Sequence, residues 1–319
     1  MMNNENECIK ENIRYNMNQK FYDELQKILP KNNIKMNEPM EKHTTFRIGG
    51  AADYFVTPNT KEEIQAVISC CKRFSEPYYI VGNGSNLLVS DKGYRGVVVQ
   101  IYKSMNKIEV CGNYMKAQAG ALLSAIAAKA LENSLSGFEF AAGIPGTLGG
   151  ACVMNAGAYG GEMKQVLKEV TVLDQQGEIL TIPADSLEMG YRTSIIAKKD
   201  YIVLEAVIAL ENGDASKIKA LMDELKERRV TKQPLEYPSA GSTFKRPEGY
   251  FAGKLIQDSD LRGFSVGGAQ ISEKHCGFVI NKDHATAADV DELMRQVSGK
   301  VFEKFGVTLE PEVKRLGEF

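Results

Sequence analysis

Two glycines one residue apart, Gly82 and Gly84, sit inside the apolar run YYIVGNGSNLLV (Tyr78 to Val89). A loop of this composition presents consecutive backbone N–H groups, and Ser85 and Asn86 add side-chain partners, which suits it to an anion such as a phosphate. Its neighbours exclude two common phosphate loops. The dinucleotide fingerprint G-x-G-x-x-G needs a third glycine where Leu87 stands, and then a helix. Instead LLVS and the β-branched run GVVVQIY (Gly96 to Tyr102) have strand character about the turn Asp91-Lys92-Gly93. A P-loop needs Gly-Lys-Ser/Thr to supply a lysine and a magnesium-binding hydroxyl, and none follows. The residues alone leave two readings open: an anion cradle, or a tight turn between strands.

A second stretch, GFEFAAGIPGTLGGACVMNAGAYGGEM (Gly137 to Met163), is dominated by glycine and alanine and carries almost no charge. A surface loop would be more polar, so this stretch is expected to lie buried against a large flat partner; helix-on-sheet packing through small residues is the alternative. The surrounding elements must position both stretches. FYDELQKIL reads as a short amphipathic helix closed by Pro30. EKHTTFRIGGAADYFVTP leads through Gly49 and Gly50 into a strand ending before Pro58. Thr60 and Glu63 form a predicted capping box, followed by the helical stripe Ile64, Val67, Ile68 and Cys71. IEVCGNYMKAQAG reads as two strands about a turn, and LLSAIAAKALEN as a helix. The strands VTVLDQQGEILTIP and YIVLEAVIAL flank GYRTS (Gly190 to Ser194). After a break at Asn212-Gly213-Asp214 come a charged helix in SKIKALMDELKERRV, the glycine-rich GSTFKRP, a helix over Ala252 to Asp258, short strands in QISEKHCGFVI, the helix AADVDELMRQVSGKVFEKFG and a final strand LEPEV.

Composition sets the frame. A chain of 319 residues exceeds one hydrophobic core. With 43% hydrophobic and 25% charged residues it has the balance of a soluble globular protein. A formal net charge of −2, with no basic cluster among aromatics, gives no support for a nucleic-acid partner, so an anion must be held by local groups. Six cysteines (Cys8, Cys70, Cys71, Cys111, Cys152 and Cys276) show no C-x-x-C pair and are expected to be reduced and mostly buried, as in a cytoplasmic protein. The polar amino terminus is unlike a signal peptide, and no apolar run reaches the roughly 20 residues that span a bilayer. The three histidines, His43, His275 and His284, lack Cys or His partners at ligand spacing, so no metal is expected.

Taken together and in order, TTFRIGG, VGNGSNLL, AGIPGTLGGACVMNAGAYG, YRTS, GSTFKRP, AGKLI, GGAQIS, GFVIN and LEPEV resemble the UDP-N-acetylenolpyruvoylglucosamine reductase family from about Met36 to Leu316. The resemblance implies an α+β fold: a vanillyl-alcohol-oxidase-type (PCMH) FAD-binding domain in two lobes plus a smaller α+β C-terminal substrate domain. The expected divisions are a loose segment 1–20, lobes 21–105 and 106–212, and a substrate domain 213–319. YYIVGNGSNLLV becomes the pyrophosphate loop of a non-Rossmann FAD site. The implied cofactor contacts are Gly82, Asn83, Gly84, Ser85, Asn86, Leu87, Ile144, Pro145, Gly146, Thr147, Gly149, Gly150, Asn155, Ala156 and Gly157. Glycine suits such loops because a Cβ would hold the backbone away from the ligand. No histidine falls in them, so FAD is expected to bind noncovalently. The short passage from YRTS to YIVLEAVIAL resembles the family's class without an extra tyrosine-bearing loop.

The implied reaction is NADPH-dependent reduction of the enolpyruvyl ether of a UDP-sugar to a lactyl ether, giving UDP-N-acetylmuramate for peptidoglycan synthesis in the cytoplasm. NADPH reduces FAD and leaves; the sugar nucleotide then accepts hydride at C3 and a proton at C2. Charge pushed into the substrate carboxylate must be stabilised selectively. The match gives that role to Arg192, whose fork can hold both oxygens, proton donation to Ser242, and stabilisation of the intermediate to Glu312. Glu312 can do this only if protonated or sharing a proton, so a raised pKa is expected. Tyr159, Tyr191, Lys245, Lys254, Gln257 and Asn281 lie in matching segments as candidate substrate contacts, with Lys245 a point charge for the diphosphate. A monomer is expected, without membrane insertion. Two other classes remain: an oxidase of a sugar or hydroxy acid on the same flavin fold, which would make peroxide, and a non-catalytic UDP-sugar-binding protein, against which the joint presence of Arg192, Ser242 and Glu312 speaks.

Overall fold

The structure is a computed structural model that describes residues 19–319. The expected loose segment 1–20 therefore lies outside the described residues, except for Gln19 and Lys20, which already belong to the first helix. That helix, α1 (residues 19–28), buries Phe21 and Leu25 and ends before Pro30, whose ring and missing N–H cannot continue it.

The first lobe is built from five strands with one helix crossing between the second and the third. β1 (Ile34–Pro39) and β2 (Ala51–Val56) are antiparallel, α2 (Lys61–Phe74) crosses to β3 (Tyr78–Val81), and β4 (Leu87–Val89) precedes β5 (Tyr94–Gln100). β5 lies between β2 and β3, parallel to both, in the order β1-β2-β5-β3. The Thr60 hydroxyl caps α2 by accepting from Glu63 N at 3.1 Å, but Glu63 reaches back to Asn59 N (2.6 Å) and not to Thr60, so the predicted capping box is only half made. The predicted stripe Ile64, Val67, Ile68 and Cys71 is buried.

The second lobe contains β6 (Ile108–Cys111), β7 (Tyr114–Gln118), α3 (Leu123–Glu132), β8 (Leu135–Ser136), α4 (Leu148–Met154), β9 (Gly157–Ala158), β10 (Gly161–Glu162), β11 (Leu167–Leu173), β12 (Ile179–Pro183), α5 (Ile195–Lys198) and β13 (Ile202–Ala209). Its sheet runs β12-β11-β13-β7-β6, antiparallel throughout, with α4 packed on β13. Only α5 intervenes between GYRTS and β13. One apolar core spans both lobes, joining Val97 and Val99 of β5 to Leu204 and Ala206 of β13.

β14 (Glu211–Asn212) pairs with β8, and α6 (Ala215–Lys232) starts on Asp214, whose carboxylate accepts from Ser216 N and Lys217 N. α6 packs on α3 and β8, with Met222 against the two-lobe core, so contact with the second lobe continues past the sequence break at 212–214. Then follow β15 (Ser239–Ser242), α7 (Ala252–Asp258), β16 (Ser265–Val266), β17 (Ala269–Ile271), β18 (Phe278–Asn281), α8 (Ala287–Phe305) and β19 (Lys314–Leu316). The sheet β15-β18-β17-β16 and α8 enclose a second core, to which Phe46, Ile48 and Leu88 of the first lobe contribute. Asp91 in the predicted turn also ties the parts together, accepting from Ala287 N (2.8 Å) and Ala288 N (3.0 Å) at the start of α8.

LEPEV is not the final strand. It runs irregularly, with a single bridge from Pro311 to Phe244, and the strand follows it as β19, parallel to β4. Pro311 offers no N–H to a ladder, so regular pairing begins only beyond it. Among the described residues no helix is long and apolar enough to cross a membrane. Of the described cysteines, Cys70, Cys71, Cys152 and Cys276 are buried, whereas Cys111 at the end of β6 is exposed.

Candidate active site

Two cavities abut at residues 155–157. The smaller, about 250 Å³, lies between β3, the glycine loop, β13 and α4. Gly82, Asn83, Gly84, Ser85, Asn86 and Leu87 line it from one side, and Ile144, Gly146, Thr147, Gly149, Gly150 and Ala156 from the other. The N–H groups of residues 83 to 86 meet no protein acceptor among the described residues, which leaves a row of donors for an anion. Lys314 is the cation lining this cavity. The loops are clamped together by Asn83, whose amide donates to Pro145 O at 2.7 Å.

The glycines fall into two kinds. Gly84 has φ +64°, and an added Cβ would stand 2.0 Å from the His43 carbonyl oxygen, so the fold itself requires it. At Gly146 and Gly150 a Cβ would meet nothing closer than 3.8 Å. The protein does not require glycine at these two places, and both face the cavity: a Cβ there would fill the space a ligand takes. Backbone donors, one lysine and apolar walls such as Ile80, Val153 and Ile202 fit an FAD pyrophosphate with its ring system.

Three expected cofactor contacts lie elsewhere. Pro145 is exposed and does not line the cavity; its carbonyl is taken by Asn83. Asn155 and Gly157 face the larger cavity. The Asn155 side chain is fully used within the protein, donating to Glu162 Oε2 (2.7 Å) and Gly190 O (3.1 Å) and accepting from Lys164 N (2.9 Å). The Asn86 amide likewise spends a donor on Glu312 O (3.2 Å), linking the glycine loop to the second cavity.

The larger cavity, about 680 Å³, is walled by the second lobe and by the C-terminal sheet. Arg192, Ser242 and Glu312, 120 residues apart in sequence at the extremes, all line it. The reason is local in each case. Gly190 and Thr193 exchange both backbone hydrogen bonds, so Tyr191 and Arg192 form the tip of a tight hairpin. Ser242 ends β15, and the adjoining Thr243 carbonyl accepts from Glu312 N at 2.8 Å, which brings the Glu312 segment alongside. Arg192 Nε donates to Glu312 Oε1 at 2.6 Å and the guanidinium carbon lies 5.2 Å from the Tyr191 ring centroid, leaving the outer guanidinium nitrogens without a protein hydrogen-bond acceptor among the described residues. The Ser242 hydroxyl likewise has no partner among them.

Glu312 is 8% exposed, and burial pushes its carboxyl above the ordinary carboxylate range; the charges of Arg192, Lys245 and Lys314 pull the other way without overcoming it. That direction is the one the expected role of Glu312 asks for.

Of the candidate substrate contacts, Tyr159, Tyr191, Lys254 and Gln257 line the cavity. The Tyr191 hydroxyl accepts from Arg246 N at 3.0 Å. Lys245 and Asn281 do not line it. Lys245 is paired with Glu310, and Asn281 is a structural pin, donating to Phe46 O (3.2 Å) and accepting from Ala285 N (2.9 Å). Phe251, Lys274 and His275, which sequence reasoning missed, line the cavity, and so does Arg246. His275 Nδ1 accepts from Gly277 N at 3.0 Å, so the neutral ring carries its proton on Nε2, and burial lowers its pKa. The Arg246 guanidinium sits 4.5 Å from the Phe251 ring centroid. Among the described residues no three His, Cys, Asp or Glu side chains cluster as metal ligands.

The glycine-loop cavity within two α+β lobes defines an FAD-binding protein of the vanillyl-alcohol-oxidase type with a smaller C-terminal domain. Residues 52–183 match a profile described as an FAD binding domain. Residues 233–316 match the UDP-N-acetylenolpyruvoylglucosamine reductase C-terminal domain. The chain is 53% identical over 301 residues to the UDP-N-acetylenolpyruvoylglucosamine reductase of Clostridioides difficile (strain 630), covering 94% of this chain and 99% of that one. It is 55% identical over 315 residues to that of Agathobacter rectalis, covering 95% and 100%. The crystal structure of the reductase from Thermus caldophilus superposes with a TM-score of 0.77 at 34% identity, over 89% of this chain and 99% of that one. The chain belongs to the UDP-N-acetylenolpyruvoylglucosamine reductase family.

Proposed function

We propose that the protein uses NADPH and FAD to reduce the enolpyruvyl ether of UDP-N-acetyl-3-O-(1-carboxyvinyl)-glucosamine to the lactyl ether of UDP-N-acetylmuramate, a step in peptidoglycan precursor synthesis. The observation that carries this reading is the convergence of Arg192, Ser242 and Glu312 in one cavity that abuts the glycine-lined one. When bound, FAD supplies the hydride relay from NADPH to the terminal carbon of the enolpyruvyl group. The free donors of Arg192 hold the substrate carboxylate and gain strength as charge accumulates there. Glu312 orients that guanidinium through Nε and, in its protonated form, offers a hydrogen bond to the same developing charge. Ser242 gives its hydroxyl proton to C2 in this reading; a serine is acidic enough only because the enolate is a strong base. Tyr159, Tyr191, Lys254 and Gln257 face the sugar nucleotide. The protein is proposed to act as a monomer, and the reaction belongs in the cytoplasm, where NADPH is supplied. The test is product analysis: one NADPH consumed per sugar nucleotide, with a mass gain of two hydrogens and no peroxide. Peroxide formation with a simple alcohol, and indifference to the UDP-sugar, would support the oxidase reading instead.

Glu312 gives a prediction whose sign follows from its raised pKa. The folded state binds this proton more tightly than the unfolded chain, so its contribution to stability is present below the unfolded pKa and is lost as pH rises through the folded value. Near neutral pH the ionised form is therefore a cost. Glu312→Gln is expected to melt no lower than the parent near pH 8 while sugar-dependent turnover falls about 10²-fold or more. In the parent, the rate of the sugar-dependent step should decline as pH rises through the Glu312 pKa. A variant melting several degrees lower near pH 8 would mean that the ion pair with Arg192 outweighs burial.

A further inference from the structure

The hairpin tip that presents Arg192 is held by the end of the helix that walls the other cavity. Arg192 has φ +54°, a conformation that costs a non-glycine residue on the order of 1–3 kcal/mol and persists only when the surroundings fix it. Two contacts do so, one on each arm of the hairpin. On the first arm, Gly190 O accepts from Asn155 Nδ2 at 3.1 Å. On the second, the Ser194 hydroxyl donates to Val153 O at 2.7 Å and accepts from Ala197 N at 3.3 Å. Both anchors are buried, Asn155 at 1% and Ser194 at 0% exposure. Both partners come from the last turn of α4, which ends in the left-handed residue Asn155 (φ +46°) and whose Gly149, Gly150, Val153 and Met154 line the smaller cavity. The other two hydrogen-bonding positions of the Asn155 amide, to Glu162 and Lys164 N, fix its side chain so that it cannot swing away from Gly190.

We infer that Asn155 and Ser194 are positioning residues that set the guanidinium of Arg192 relative to the α4 wall of the cofactor cavity, so that its placement does not depend on the substrate. The inference rests on the role proposed above for Arg192. Neither side chain needs to touch the reacting atoms for this; each acts through the backbone of the hairpin. A displacement of about 1 Å at such a group is enough to cost roughly 10²-fold in rate.

The test uses the FAD-loaded full chain and separates the two half-reactions under anaerobic conditions. Asn155→Gly keeps the positive φ available while removing the side chain and its amide. It is expected to slow reoxidation by the enolpyruvyl UDP-sugar about 10- to 100-fold, through kcat with little change in KM, while reduction by NADPH stays within about twofold and the flavin-to-protein ratio is unchanged. Ser194→Ala should show the same pattern to a smaller degree, and it carries the test if the glycine variant does not fold. In an Arg192→Lys background, Asn155→Gly should add less than about twofold, because both act on one interaction. Equal losses in both half-reactions, or fully additive losses in the double variant, would overturn the inference. If Arg192→Lys alone leaves reoxidation at the parental rate, the arginine reading fails; if it is slow and Asn155→Gly is not, only the positioning role fails.

Discussion

Arg192→Lys is expected to slow reoxidation of the reduced protein by the enolpyruvyl UDP-sugar about 10²- to 10³-fold, the loss seen when a preorganised donor to developing negative charge is removed. The guanidinium makes two kinds of contact at once. Its Nε is committed to Glu312 at 2.6 Å, and its outer nitrogens remain for the substrate. A lysine offers a single ammonium point charge at the end of a flexible stem, so satisfying Glu312 leaves the carboxylate without its planar partner. The positive φ at position 192 is unchanged by the exchange, so the hairpin is retained and the effect lies in the transition state. Single-turnover kinetics with the reduced protein measure it. A loss under about fivefold would show that the carboxylate is held by other groups, and Arg246 or Lys274 would be next to examine.

The second large effect is on the cofactor. Gly146→Val and Gly150→Val are each expected to give a folded protein that purifies nearly free of flavin, with FAD affinity reduced at least about 10²-fold; this follows from the steric logic of a glycine that lets a ligand approach the backbone. A Cβ at either position has only ordinary contacts within the protein, so the lost space is the ligand's and not the core's. Gly84 would make a poor test, because a Cβ there collides with the His43 carbonyl and the loop itself would be displaced. The ratio of flavin to protein absorbance, followed by titration with FAD against circular dichroism as a check of folding, decides the matter. Folded variants retaining one flavin per chain would remove the cofactor from this cavity.

Features governed by neighbours in sequence were legible before the structure. Thr60 at the start of α2, Asp214 before α6 and the stop at Pro30 are local chemistry. The glycine loop was legible as an anion cradle or a turn, and the order of motifs tipped the balance by resemblance. What failed was non-local. LEPEV has strand-like residues, yet its pairing is set by a partner at Phe244 and blocked by Pro311. Lys245 reads as a phosphate contact until Glu310 is seen beside it, and Asn281 as a ligand until Phe46 O, 235 residues away, takes its amide. Asn155 lies in a glycine-alanine stretch whose composition suggests a cofactor wall, but its side chain points to Gly190, 35 residues on. Phe251, Lys274 and His275 come together only because α7 and the β17–β18 connection close one end of the larger cavity. No periodicity or spacing encodes that meeting.

The central claim is that the two abutting cavities form one reductive site, charged by NADPH and discharged by the enolpyruvyl sugar. Anaerobic stopped-flow absorbance tests it most directly. The protein is bleached with one equivalent of NADPH and then mixed with the enolpyruvyl UDP-sugar in the absence of oxygen. Full return of the flavin bands, with UDP-N-acetylmuramate formed in equal amount, is the predicted result. Bands that stay bleached until oxygen is admitted would contradict it.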